Sequence, residues 1–290
     1  MKKLFKIGIL LAFVLTANLS IFAQPGTGVH VMALPYEELH VKNDRPMPYP
    51  YVREADVMYS KIIWRRVELS EKMNHPLALP TEPAEGYKSL IDVLLDAVQN
   101  QGLNAYKASA QDAGQEFDDW ISVKDITKIM GGGYDTVYNP LPEGGWDTVA
   151  THTPIHSDEV KAYMFKEVWF FDKQRSVMDV RLIGICPIRV WEEYDNSGNH
   201  RTKVKKAFWI NYSEARPILA KSPVYLPYSD VKNLSYDDLL QKRFFSSYIF
   251  MESTPYRRAI MEYEQGLEVL LEAQRIENEI FDFEQNLWEY

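Results

Sequence analysis

The feature that most constrains the fold is the stretch from Tyr163 to Tyr212, in which β-branched and aromatic side chains dominate. Short polar turns divide it into apolar segments that predict strands over Tyr163–Phe171, Val177–Trp191 and Arg201–Tyr212. Asn196–Asn199 has the composition of a hairpin turn between the last two. The sequence therefore predicts an α+β fold with a central antiparallel sheet meander, at about residues 160–212, packed by helices from the N-terminal and C-terminal parts.

Large aromatic side chains recur along this meander. Their size makes packing within the sheet the favoured role, ahead of stacking against a ligand. These aromatics are Trp169, Phe170, Phe171, Trp191, Phe208 and Trp209.

The first 23 residues have the pattern of a secretory signal peptide. Lys2, Lys3 and Lys6 precede an apolar run that starts at Ile7, and Ala23 is the expected cleavage point. No cysteine stands at that point, so we expect a chain that is not itself a lipoprotein. No later stretch reaches 18 uninterrupted apolar residues, so the sequence predicts an exported protein without a membrane span.

Charge and cysteine content narrow the classes of partner. The formal charge of the full chain is −9, and without the signal 29 basic and 41 acidic side chains remain, a charge of −12. That balance argues against nucleic acid or anionic lipid as the main partner. Cys186 is the single cysteine, so neither an internal disulfide nor a multi-cysteine metal site can form. We expect a buried thiol, with a bridge to another chain as the alternative.

The rest of the chain divides into an arm and one domain. Residues 24–52 contain five prolines and no sustained periodicity, which predicts an extended arm. Such an arm is either a disordered leader or a strap across a neighbouring surface. Residues 53–290 are predicted to form the α+β domain.

Helical spacing of apolar residues predicts four helices. They cover Asp56–Asn74, Gly86–Gly102, Leu234–Met251 and a last helix that Thr254 caps. On the first of these, Lys61, Arg65 and Arg66 are expected on solvated flanks. Along the last helix, two heptads fit before Gln274, so a long coiled coil is not supported.

The segments between these helices are less clearly patterned. Leu103–Phe117 is predicted as a loop or weak helix, and Trp120–Met130 fits either a helix or a strand. Gly131–Pro154 is predicted as a long surface loop or ribbon with a contact role.

The sequence contains only weak motifs for phosphate binding, metal binding or catalysis. Gly131–Gly133 lacks the Gly-Lys-Ser/Thr context of a phosphate loop, and Pro154 between His152 and His156 disfavours a helical metal pair. Asp118–Asp119 and Asp237–Asp238 are expected to cap helices. The sequence therefore assigns no catalytic, cofactor-binding or metal residue and predicts that the protein is not an enzyme.

Several separated blocks resemble one known family. They are Asp56-x-Met58-x-Ser60-Lys61-x-x-Trp64-Arg65, Glu71-Lys72-Met73-Asn74, Trp169-Phe-Phe-Asp-Lys-x-Arg175-Ser-x-Met178, Gly184-Ile185-x-Pro187, Ser235-Tyr-Asp-Asp238, Arg243-x-Phe245-Ser-Ser-Tyr-Ile249 and Leu287-Trp-Glu-Tyr290. Over roughly residues 51–290 the chain resembles the GldN/PorN family, a gliding-motility and type IX secretion component of Bacteroidetes.

The resemblance implies a non-enzymatic structural subunit in the periplasm, attached peripherally to the outer membrane. Its implied partners are an outer-membrane lipoprotein of the GldK/PorK type, other copies within a large ring, and a motor stalk protein of the GldM/PorM type. The alternative is a periplasmic envelope enzyme or glycan-binding protein that uses the aromatic sheet and scattered acids. A pocket with convergent titratable groups would favour that alternative, and flat or strap-like contact surfaces would favour the ring subunit.

Overall fold

The computed structural model describes residues 40–109, 116–140, 146–153, 155–194, 200–228, 233–256 and 258–286. The predicted signal peptide, the first part of the arm (24–39) and the turn at 195–199 lie outside these ranges. Within them, no helix combines the length and the apolar character needed to cross a bilayer.

The fold is built on a seven-stranded antiparallel sheet in the order β2-β8-β6-β5-β1-β9, with β7 also paired to β6. A separate two-stranded ribbon consists of β3 and β4. The strands are β1 (Val57–Glu68), β2 (Ala105–Lys107), β3 (Gly133–Pro140), β4 (Trp146–Thr153), β5 (Val160–Asp172), β6 (Val177–Tyr194), β7 (His200–Lys206), β8 (Phe208–Asn211) and β9 (Tyr248–Glu252). The helices are α1 (His75–Ala78), α2 (Leu90–Asn100), α3 (Val123–Ile129), α4 (Tyr212–Leu219), α5 (Tyr236–Gln241) and α6 (Leu267–Asn286). The predicted α+β class and helix-packed antiparallel sheet are confirmed.

The predicted meander forms the centre of this sheet. β5 pairs with β6 along most of its length, from Val160 opposite Arg189 to Asp172 opposite Val177. The third predicted strand is split into β7 and β8, which pair one after the other along the same side of β6. Of the aromatics expected to pack in the sheet, Phe208 and Trp209 are almost completely buried, whereas Trp169 and Trp191 are partly buried.

The helix predicted over Asp56–Asn74 is wrong, because this segment contains strand β1 between β5 and β9. Ile63 and Val67 point to one face of the sheet and Trp64 to the other, and all three are buried. A strand buried on both faces loses its polar alternation, so its apolar positions also satisfy helical spacing. Arg65, expected on a solvated flank, is only 3% exposed.

Side chains pack on both faces of the sheet. One face carries Phe165 and Ile185 under helices α2, α4 and α5. The opposite face buries Trp64, Trp209 and Cys186, so the predicted burial of the cysteine thiol is confirmed. A third apolar cluster joins β1 and β9 to α6.

The helix predicted over Gly86–Gly102 is confirmed as α2, with the Ser89 hydroxyl accepting from the Asp92 backbone N–H at 3.3 Å. The ambiguous Trp120–Met130 segment contains α3, capped in the same way by Ser122. Within Leu103–Phe117 the structure places the short strand β2. Of the loop or ribbon predicted over Gly131–Pro154, the ribbon is confirmed by the pairing of β3 with β4.

Two boundaries near the C-terminus were predicted wrongly. Ser235 caps α5, but the helix ends at Gln241, and Tyr248–Glu252 forms edge strand β9 instead of continuing it. Arg243, with φ +55°, has a left-handed backbone that a helix cannot accommodate. The last helix begins at Leu267, after Gly266 with φ +60°, and not at Thr254.

Candidate interaction surfaces

The motifs singled out for chemistry serve packing where the structure describes them. A Cβ on Gly131 would lie 2.4 Å from Nη2 of Arg189, so glycine lets this guanidinium approach the backbone. Arg189 donates to Glu159 and to the carbonyl of Ile129, both at 2.5 Å. His152 lies on strand β4, not on a helix. Gly131, the first of the three glycines, is therefore a close-approach site for an arginine.

The grooves of the described surface are open and modest. One of about 680 Å³ runs beside α6 and is lined by Tyr59, Leu271, Asp282 and Phe283 among others. Another of about 460 Å³ is lined by Ser70, Ser89, Ser157 and neighbouring residues. Across the residues that the structure describes, no three His, Cys, Asp or Glu side chains cluster as a metal site would require.

The pair Asp237–Asp238 divides into two roles. Asp238 receives the Ser235 hydroxyl at 2.9 Å, as expected of a capping residue. Asp237 is buried and instead pairs with Arg216 through both carboxylate oxygens, at 3.0 and 3.1 Å. The Tyr212 hydroxyl donates to the same carboxylate at 2.5 Å. Burial, and then the Asp237 charge, raises the pKa of Tyr212, which keeps this phenol protonated as a donor.

The arm crosses this cluster. The Tyr49 ring lies 4.4 Å from the Arg216 guanidinium carbon and 4.9 Å from that of Arg181, in cation–π contact with both. The two arginines also hold the arm backbone, because Arg216 donates to the Met47 carbonyl at 2.7 Å and Arg181 to that of Pro50 at 2.6 Å. The arm from Met47 to Pro50 is therefore a strap over its own domain. Residues 24–39 lie outside the described part.

Replacing Tyr49 with alanine is expected to release this strap. The change removes two cation–π contacts and the hydrogen bond from Gln241, each worth about 0.5–1 kcal/mol. Cleavage within residues 47–50 under limited proteolysis should accelerate about tenfold, while the thermal melt of the domain shifts little. Tyr51→Ala is the matched control because this neighbouring ring is 88% exposed. Equal cleavage rates in the two variants would rule out the anchoring role of Tyr49.

A second buried network lies beneath α6. The Glu167 carboxylate, fully buried on β5, pairs with Arg65 at 3.3 Å and with Arg243 at 2.7 Å, and it accepts from the Trp169 indole at 3.1 Å. Arg65 also donates to Glu277 of α6 at 2.8 Å. The network therefore links β1, β5 and the segment after α5 to the last helix.

The opposite face of the sheet holds its own buried ion pair. Glu116, 1% exposed, accepts from the Lys166 ammonium at 2.5 Å and from the Trp64 indole at 2.8 Å. Lys166 also lies 5.4 Å from the Trp64 ring. These contacts fix Glu116 against the sheet.

Two exposed surfaces have contrasting character. Helix α6 buries Val269, Ala273, Ile276 and Ile280 yet exposes a second set of apolar side chains: Leu267, Leu270, Leu271 and Phe281. Residues 260–286 carry eight acidic side chains and one basic one. Strand β7 exposes the cations Arg201, Lys203 and Lys205, and its Val204 is 58% exposed.

These features define an α+β sheet protein in which buried charges hold separate parts of the chain together, with charged and apolar surfaces left exposed. Residues 52–289 match the family described as gliding motility associated protein GldN. The chain belongs to that family, and the resemblance noted in its sequence is confirmed. No curated protein matches it.

Proposed function

We propose that this protein is a structural, non-enzymatic subunit of the type IX secretion and gliding machinery. In this proposal it lies in the periplasm and is held at the outer membrane by a lipoprotein partner of the GldK/PorK type. It forms a large ring with that partner and further copies of itself, and it contacts a motor stalk protein of the GldM/PorM type. Membership of the gliding motility family over residues 52–289 is the observation that carries the proposal.

The described surfaces support this role. Exposed apolar side chains in a group, such as those of α6, are typical of contact sites between proteins. In the strap, the Glu167 network and the Glu116 pair, buried charged side chains make internal contacts. A rigid scaffold with open contact surfaces suits assembly better than turnover of a small substrate.

The test is an in-frame deletion of the gene in a gliding bacterium that carries it. Loss of surface movement and of type IX secretion is expected, with recovery of both when the full chain is supplied. A copy lacking residues 1–23 is the matched control and should fail to restore either, because the proposed site of action is outside the inner membrane. Crosslinking followed by purification from the envelope should recover the chain with its lipoprotein partner. A deletion strain that still glides and secretes would refute the proposal.

A further inference from the structure

Helix α6 carries a second stripe of regularly spaced residues, on the side that faces away from its own domain. The buried stripe, which packs against β1 and β9, consists of Val269, Ala273, Ile276 and Ile280. On the far side of the helix, six exposed and uncharged residues recur at alternating spacings of four and three. This outer stripe consists of Leu267, Leu271, Gln274, Asn278, Phe281 and Gln285. Its spacing is the seven-residue repeat of a helix that packs lengthwise on another helix.

Charge is excluded from the outer stripe although the helix is strongly acidic. The helix contains six acidic side chains and one basic one, a net charge of −5. At 100° per residue, four acids lie on the first flank of the stripe and two on the second. Those of the first flank are Glu268, Glu272, Glu279 and Asp282, and those of the second are Glu277 and Glu284. Arg275 also lies on the first flank, so the two flanks carry net charges of −3 and −2.

The first flank is only partly neutralised from within. Arg275 pairs with Glu272 at 2.7 Å and with Glu279 at 3.2 Å. Glu268 and Asp282 are exposed, and neither forms an ion pair among the described residues. Two carboxylates beside the outer stripe are therefore available to a cation from outside the chain.

A groove of about 680 Å³ runs along this first flank, between α6 and the beginning of β1. Leu271 and Asn278 of the outer stripe line it. So do the rings of Tyr59 and Phe283, which stack with their centroids 4.3 Å apart. Asp282 lines the same groove. The outer stripe therefore adjoins a trough that offers both aromatic surface and negative charge.

A second copy of α6 does not fit this surface. Two parallel copies would place the first flank of one helix against the second flank of the other, and two antiparallel copies would place each flank against itself. Both arrangements bring net-negative flanks together, and like charges across a contact destabilise it. The charge therefore favours a different helix, one with cations beside its apolar residues.

We propose that the outer stripe of α6 binds an amphipathic helix of another protein, apolar along one stripe and flanked by lysine or arginine. Its apolar side chains pack on the leucines and on Phe281 of the outer stripe. Cations on one of its sides enter the groove, where their carbon chains pack on Tyr59 and their charged ends reach Asp282. The inference rests on the proposed function as a structural subunit and assigns one of its partner surfaces.

The polar members of the outer stripe are compatible with such a contact. Gln274 donates to the side-chain oxygen of Asn278 at 3.1 Å, so each already satisfies part of the other's hydrogen bonding. Polar residues at core positions of paired helices fix the register at which the helices meet. Single exposed leucines, in contrast, are common on protein surfaces and need no partner. That simpler explanation gives the stripe no preference for one order of residues in a peptide over another.

The experiment measures binding of a labelled three-heptad peptide to the purified chain without residues 1–23. The peptide has leucine at both core positions of each heptad and lysine at both flanking positions. Fluorescence anisotropy should show saturable binding that weakens as the salt concentration is raised. A peptide of the same composition in scrambled order, and one with glutamate in place of lysine, should each bind at least about tenfold more weakly.

Two variants of the protein locate the contact on α6. L271S/F281S removes apolar surface from the outer stripe, and E268Q/D282N removes the two unpaired charges of the first flank. Each variant should bind the lysine peptide at least about tenfold more weakly than the wild type.

The matched controls change the same kinds of residue elsewhere. V123S/V204S alters two exposed apolar side chains, and E54Q/E82Q neutralises two exposed acids, all outside α6. Both controls should bind the lysine peptide like the wild type, and circular dichroism melts should show that all four variants are folded.

Several results would overturn the proposal. They are absence of binding up to millimolar protein, equal binding of either control peptide, and undiminished binding by the two α6 variants. Sedimentation velocity tests the second copy as the occupant. Self-association of the wild type that is lost in L271S/F281S would also overturn the proposal, because another copy would then cover the stripe.

This assay is separable from the gene deletion. A strain that still glides without the gene refutes the proposed function and leaves the measured peptide binding as it is. Conversely, gliding lost on deletion together with no peptide binding would refute the partner surface alone.

Discussion

Replacing Glu167 with alanine is expected to lower the free energy of unfolding by about 3–5 kcal/mol, because it leaves a buried positive charge without its buried carboxylate partner. Glu167 is fully buried and is paired with both Arg65 and Arg243. Arg65 is 3% exposed, and the carboxylate it would keep is that of Glu277, which is itself partly exposed. Urea denaturation followed by circular dichroism measures the loss.

Glu279→Ala is the control for this change. Glu279 also pairs with an arginine, Arg275 at 3.2 Å, but both side chains are more than half exposed. An exposed pair contributes at most about 1 kcal/mol, so the midpoint should move little. Similar losses in the two variants would mean that burial of the Glu167 network adds nothing to its strength.

Replacing Trp209 with alanine is expected to cost about 3–5 kcal/mol, the range for deletion of a large buried aromatic side chain. Trp209 is 1% exposed at the middle of β8, and its ring lies 6.2 Å from that of Phe117. The cavity would open next to Gly184, where a Cβ would already lie 2.6 Å from the Phe117 ring. Thermal and urea unfolding monitored in the far ultraviolet give the change without relying on tryptophan fluorescence.

The same substitution at Trp120 is the control, because this side chain is 65% exposed. Its ring contacts Tyr106 at 5.9 Å, so the expected loss is about 0.5 kcal/mol. If Trp120→Ala destabilises the protein as much as Trp209→Ala, the expectation that burial of the ring determines the loss is wrong.

Sequence reasoning located the central strands because their polar turns are short and distinct. It also located α2 and the start of α5, because the helical spacing of apolar residues is a local signal that does not depend on the rest of the fold. The failures arose where tertiary contacts override local pattern. Strand β1 is covered on both faces and therefore shows no alternation, and Pro217 concealed the short helix α4.

The interaction surfaces were harder to predict for a physical reason. Arg181, Arg216 and Tyr49 are far apart in the sequence, and only the path of the arm across β6 and α4 brings them together. Asp237 was predicted to cap a helix together with Asp238. Nothing in the neighbouring sequence indicates that it pairs with the buried Arg216 instead. The acidic character of the last helix, in contrast, is visible in composition alone.

The position of β1 between β5 and β9 also constrains the order in which the chain can fold. Ile63 is paired with Glu167 on one side and Glu252 on the other, so its two neighbours lie about one hundred and nearly two hundred residues later in the chain. Such distant pairings give high contact order and slow folding. A chain that emerges from its N-terminus, from a ribosome or through a membrane pore, leaves β1 without partners until most of the polypeptide is out. Throughout that time its apolar Ile62-Ile63-Trp64 segment is exposed to other chains, and a holding chaperone that binds this segment would protect the protein during synthesis and transport.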